Sequence, residues 1–197
     1  FVAGLQLITE GLVLETSGEP SVRGVSRGAE LLGVGDVIGL ETLIARSAET
    51  SLSSQRTLSE VHLLFVDRST LDEALRESAS LAAALLRSLS ERHFRLRRAL
   101  VRGALPPTGR LHSALLEAAT VCGAAPGEGP VRLPPEIDLR VMGDLARLSP
   151  AQVRRGIQEL PGVGVKSGQF TFLLETLLGW RPTPEKEQPL ESFLDDG

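Results

Sequence analysis

Between residues 69 and 101 the sequence contains neither glycine nor proline. Nothing in such a run interrupts a backbone hydrogen-bond ladder, so it predicts one long helix. Ser69 or Thr70 can cap its start, with Asp72 and Glu73 in the favourable first turn. Ala82, Leu85, Leu89, Leu96 and Ala99 recur at heptad-like intervals over about four turns. A helix of roughly 30 residues outreaches a small domain. The stripe Ala82, Leu85, Leu89 and Leu96 therefore predicts a seam between two copies of the chain; the alternative is a helix that covers its own β domain. Arg92 lies on the stripe and weakens it there. With Arg95, Arg97 and Arg98 it reads as a solvated helix end.

The flanking segments have other patterns. Residues 1–68 offer brief apolar stretches at 5–8, 12–14, 22–25 and 30–32, punctuated by glycines at 4, 11, 18, 24, 28, 33, 35 and 39. Short strands with glycine turns predict a β-roll or sandwich, closed by a buried strand over 60–66. After the long helix, residues 103–107 form a hinge with two prolines. Thr108 is placed to cap a helix over 109–121, and 123–130 is a Gly/Pro loop. The fold class is thus α+β: a β-roll domain over 1–68, a long helix over 69–103, a smaller C-terminal domain over 104–180 and an acidic tail over 181–197.

Composition narrows the functional classes. The chain is 42% hydrophobic and 23% charged over 197 residues, ordinary for a soluble globular protein. No apolar run approaches the roughly 18 residues that would suggest a membrane span. The opening Phe1-Val2-Ala3-Gly4 carries neither Met nor a basic stretch followed by an apolar one, and reads as neither a signal peptide nor a natural start. Cys122 is the only cysteine, which excludes a disulfide framework within one chain and a multi-cysteine metal site, and suits a reducing cytosol. The net charge is −4, but segment 101–180 is net +1, with 8 basic and 7 acidic residues, while 181–197 is at −3. Any affinity for nucleic acid is expected to be modest and salt-dependent.

The sharpest local pattern lies at 138–173. Asp138 is an N-cap before a short helix whose Met142, Leu145 and Ala146 make an apolar face. Arg147-Leu148 makes a break. Ser149 then caps a second helix with Pro150 in its first turn, running to Leu160. Val153, Ile157 and Leu160 face the first helix, leaving Gln152, Arg154, Arg155 and Gln158 outside. Two short helices joined by a tight turn, the second polar on its outer face, form the helix-turn-helix pattern. Pro161-Gly162 stops the second helix, and 163–173 read as a hairpin, the wing. Arg can bind guanine bidentately, Gln can pair with adenine, the helix start at Ser149 can meet a phosphate, and Lys166 can touch the backbone. The partner so predicted is double-stranded DNA.

The order of these parts resembles the cyclic-AMP receptor protein/FNR (CRP/FNR) family of bacterial transcription regulators. Glu10-Gly11 resembles a strand entry of that family. Leu32-Gly-Val-Gly35-Asp36-Val-Ile-Gly39 resembles its L-x-x-G-D-x-x-G turn, Glu60-Val61 the end of its last roll strand, and Thr108-Gly109-Arg110 the start of its DNA-binding domain. The resemblance implies a cytoplasmic homodimer built on the central helix, a recognition helix in the major groove of a palindromic site, and RNA polymerase as a further partner. Arg155 matches a base-reading arginine. Pro150 and Ala151 stand where many members have Arg and Glu, and Arg147 replaces a turn glycine, so the angle between the two helices is expected to differ.

The effector pocket departs further. The family's nucleotide cassette places Glu directly after the turn's last glycine; here Gly39 is followed by Leu40, with Glu41 one place late. Glu49-Thr50 stands where an arginine would pair with the cyclic phosphate, and a carboxylate there repels it. Neither Arg46-Ser47 nor Arg56-Thr57 is in register. No cofactor and no cyclic-AMP dependence are expected; the alternatives are an altered pocket for another small molecule, or an interaction protein that has lost DNA binding. His62, His93 and His112 are too scattered for a metal site. Cys122 reads as packing. No nucleophile–base set is visible, so an enzyme is not expected.

Overall fold

The computed structural model describes residues 4–17, 28–39 and 53–181. Six strands come first: β1 (Gly4–Glu10), β2 (Val13–Ser17), β3 (Gly28–Leu32), β4 (Val37–Ile38), β5 (Ser53–Thr57) and β6 (His62–Asp67). They form two antiparallel three-stranded sheets, ordered β4-β1-β6 and β3-β2-β5. The region expected over 22–25 lies outside the described residues, as does the tail beyond Arg181.

Glycine is required at the crossing from β1 to β2. Gly11 has φ +90°, and a Cβ there would stand 2.1 Å from the Glu60 carbonyl oxygen. The turn between β3 and β4 is closed by Asp36, whose carboxylate accepts from Gly33 N–H at 2.9 Å, with Gly35 at φ +89°. β6 departs from expectation. Among the described residues it is an edge strand, and Leu63, Leu64 and Phe65 are about half exposed rather than buried.

The long helix is two helices, α1 (Arg68–Glu77) and α2 (Ala79–Arg102). Ser78 lies between them in extended conformation, and its hydroxyl accepts from Leu81 N–H at 3.2 Å. A serine that caps the following turn competes with the ladder it interrupts, which is why a stretch without glycine or proline still breaks. Asp67, not Ser69 or Thr70, caps α1: both hydroxyls donate to its carboxylate, as does Thr70 N–H. These bonds hold the Asp67 carboxyl well below the usual range.

On α2, Leu85 and Leu89 pack against a cluster of Leu5 and Val37 in the chain's own β domain and Leu71 on α1. Ala82 is half-buried, while Leu96 is exposed. The four expected seam positions therefore divide. The large exposed apolar side chains of α2 are Leu86, Phe94, Leu96, Leu100 and Val101.

The arginines of α2 also divide. Arg97 and Arg98 are exposed as expected, but Arg92 and Arg95 are not a solvated end. Arg92 pairs with Glu15 and, at 3.2 Å, with Glu30, and donates to the Val37 carbonyl at 3.1 Å. Arg95 pairs with Glu30 at 3.4 Å and with Asp36 at 2.5 Å. Burial pushes the Glu30 carboxyl up to about 6, against the pull of the two arginines.

The C-terminal part holds α3 (Pro107–Val121), β7 (Pro130–Arg132), α4 (Leu139–Ala146), α5 (Pro150–Glu159), β8 (Gly164–Lys166), β9 (Gln169–Leu173) and α6 (Leu174–Gly179). A third sheet is ordered β7-β9-β8. Thr108 does not cap α3; the helix starts with Pro107 in its first turn, and the Thr108 hydroxyl donates to Glu159 at the end of α5. One hydrophobic cluster joins Leu12, Leu14, Ala29 and Leu31 of the β domain to Leu111, Leu115, Met142, Leu145, Val153 and Phe170. Among the described residues, no helix is long and apolar enough to cross a membrane.

Candidate nucleic-acid interface

The α4–α5 pair is fixed by its caps. The Asp138 carboxylate accepts from Arg140 and Val141 N–H, both at 2.8 Å, as the sequence indicates. α4 ends at Arg147, which adopts the left-handed conformation (φ 55°, ψ 48°) that a glycine would take. Arg110 donates to the Arg147 carbonyl at 3.1 Å and holds the turn from outside.

α5 starts with a full capping box. Ser149 N–H donates to the Gln152 side-chain oxygen at 2.9 Å, and Gln152 N–H to the Ser149 hydroxyl at 3.3 Å. The groups behind two expected DNA contacts are thereby engaged within the helix start. Bidentate reading of adenine needs both the oxygen and the nitrogen of a Gln amide, and the Gln152 oxygen is engaged within the helix. The Ser149 N–H is engaged as well, and Pro150 has none, so the start of α5 offers a phosphate fewer donors than expected.

The rest of the outer face is open. Arg154, Arg155 and Gln158 are exposed, while Val153, Gly156 and Leu160 are buried. Gly156 is a packing position that the sequence patterns above do not single out. A Cβ there would meet Leu111 Cδ2 at 2.8 Å, so glycine lets α5 lie close on α3. A lone glycine inside a helical pattern is the signal that points to it. β8 and β9 form a hairpin through Ser167-Gly168, both at positive φ (52° and 82°), the two-residue turn suited to twisted strands. Lys166 is exposed beside that turn. The assembly thus presents two arginines and a glutamine on one helix, with a lysine on an adjacent hairpin. Such a surface can donate to phosphates and base edges.

The expected effector residues fare differently. Gly39 ends its turn at φ +85°, while Leu40, Glu41, Glu49 and Thr50 lie outside the described residues. Arg56 is exposed on β5. Cys122 packs against the main core, and burial pushes its thiol up to about 11, which disfavours the thiolate at neutral pH. His112 Nε2 lies 2.7 Å from the Leu177 carbonyl, and its ring lies against Trp180 with centroids 4.7 Å apart, tying α3 to α6.

By sequence, no family model and no curated protein matches the chain. Solved structures do match it in shape. A cyclic nucleotide-binding domain containing protein from Listeria monocytogenes EGD-e aligns with TM-score 0.70 at 20% identity, over 85% of this chain and 78% of that one. The c-di-GMP responsive global regulator CLP of Xanthomonas campestris aligns with TM-score 0.66 at 18% identity, over 87% and 85%. A CRP/FNR family transcriptional regulator from Thermus thermophilus aligns with TM-score 0.64 at 22% identity, over 89% and 86%. The chain has the fold shared by CRP/FNR family transcriptional regulators and cyclic nucleotide-binding domain proteins.

Proposed function

We propose that the chain is a sequence-specific DNA-binding transcription regulator of CRP/FNR type. In this reading α4 and α5 are a winged helix-turn-helix with the β8–β9 hairpin as wing, and a homodimer built on α2 binds a palindromic site. The observation that carries it is α5 itself: a capped helix, buried on one side, with Arg154, Arg155 and Gln158 exposed on the other. Arg155 reads a base edge, and Arg154 and Lys166 contact phosphates. The fold shared with transcriptional regulators supports this, and gives no support to an enzymatic reading.

The regulator acts without cyclic AMP. Among the described residues, Glu15, Glu30 and Asp36 outnumber Arg92 and Arg95 where the β domain meets α2, and surplus buried carboxylate disfavours a phosphate nearby. Selection of bound duplexes from random sequence tests the main claim. It should return a palindrome with half-sites about one helical turn apart; no enrichment over input rejects it. A thermal-shift series with cyclic nucleotides should stay flat.

A further inference from the structure

Arg102 is the last residue of α2 and is 2% exposed, an unusual place for an arginine. Its guanidinium divides among three partners. Nε donates to the Ser113 hydroxyl on α3 at 3.1 Å, Nη2 pairs with Glu117 on α3, and Nη1 donates to the Leu145 carbonyl at 2.8 Å. The Leu145 carbonyl lies in the last turn of α4, among the acceptors that a helix end leaves without intrahelical partners. The next carbonyls of that region lead into the turn before α5.

We propose that Arg102 is a positioning residue: it fixes the α4–α5 pair in angle against α2, and so sets which half-site spacing a dimer accepts. The inference rests on the DNA-binding reading above. Apolar side chains in place of both Arg102 and Glu117 could fill the same volume, since buried ion pairs are often replaceable as a pair without loss of stability, whereas removing one partner strands the other. What an apolar side chain cannot supply is direction. A planar fork bonded to two helices admits one orientation, whereas a methionine admits several. Arg110, bonded to the Arg147 carbonyl, holds the far side of the same turn, and Arg102 ties the near side to the central helix. Orientation matters because one base pair rotates a half-site by roughly 35° about the DNA axis. A fixed joint on each protomer makes that rotation costly; a loose one absorbs it.

The test uses the full chain and the half-sites recovered by selection, moved closer or further apart by one or two base pairs, with a single half-site duplex as control. The wild type should prefer one spacing by about tenfold or more, and Arg102→Met should bind the single half-site as the wild type does but discriminate spacings by only about threefold. Arg102→Lys should fall between. A binding Met variant with wild-type spacing ratios overturns the proposal. Where Met prevents folding, Arg102→Lys and Glu117→Gln are read the same way, and unchanged ratios in both overturn it. A wild type that binds no duplex rejects the DNA-binding reading itself, and Arg102's role with it.

Discussion

Gln152 and Arg155 stand three residues apart on the exposed side of one helix, yet their surroundings assign them different roles. Gln152 closes the capping box, whereas Arg155 is left to reach outward. Arg155→Ala should weaken specific binding by about 1–3 kcal/mol and relax preference at one base position; a uniform loss across sequences, seen in competition assays, would make it a phosphate contact. Gln152→Ala should instead lower stability by about 1 kcal/mol, read by denaturant titration, and leave base preference unchanged. Arg147 shows a similar divergence between residue type and role: it takes a glycine's conformation because its carbonyl has a partner in Arg110.

At the scale of elements, α2 carries two apolar surfaces with different destinations. Leu85 and Leu89 serve the chain's own β domain; Leu86, Phe94, Leu96 and Leu100 have no such cover. A homodimer built on α2 would bury the second group. Phe94→Glu combined with Leu96→Glu should therefore give monomers by sedimentation velocity with melting temperature little changed. Leu89→Glu should cost folding stability instead, because it buries a charge against Leu5, Val37 and Leu71. The two surfaces interleave along one helix, so periodicity alone could not separate them. The α4–α5 caps were legible because their partners lie two or three residues away: Asp138 with Arg140 and Val141, Ser149 with Gln152. The break at Ser78 was hidden by good helix formers on both sides.

At the scale of the whole molecule, the least legible feature was the charge cluster that joins α2 to the β domain. Arg92 meets Glu15 across 77 positions of chain, and Arg95 meets Asp36 across 59. No local pattern announces pairings that only the fold creates, and an arginine on a heptad stripe reads as solvated until its carboxylates are placed. The cluster sets a pH dependence. Glu30 titrates near 6 in the fold against an ordinary 4.5, so its contribution to stability is complete below 4.5 and lost as pH rises through about 6. Burial of the charged form is the main cause. Thermal unfolding of the wild type should show this loss between pH 4.5 and 6. In Glu30→Gln that part of the slope should flatten; identical profiles would remove Glu30 from the account.

The hydrophobic cluster that runs from Leu12 and Leu31 into Met142 and Phe170 has a consequence for dissection. Leu12, Leu14, Ala29 and Leu31 come from the β domain and its other buried members from residues 111–177, so parting the two ends would uncover apolar surface on each. Severing the chain in the 103–106 connection would expose apolar surface on both fragments, and they should co-purify as a non-covalent pair. Calorimetry of the intact chain should give one cooperative transition, where two independently folding modules would give two. A swivel of the reading unit away from the β domain would first have to part this shared interior.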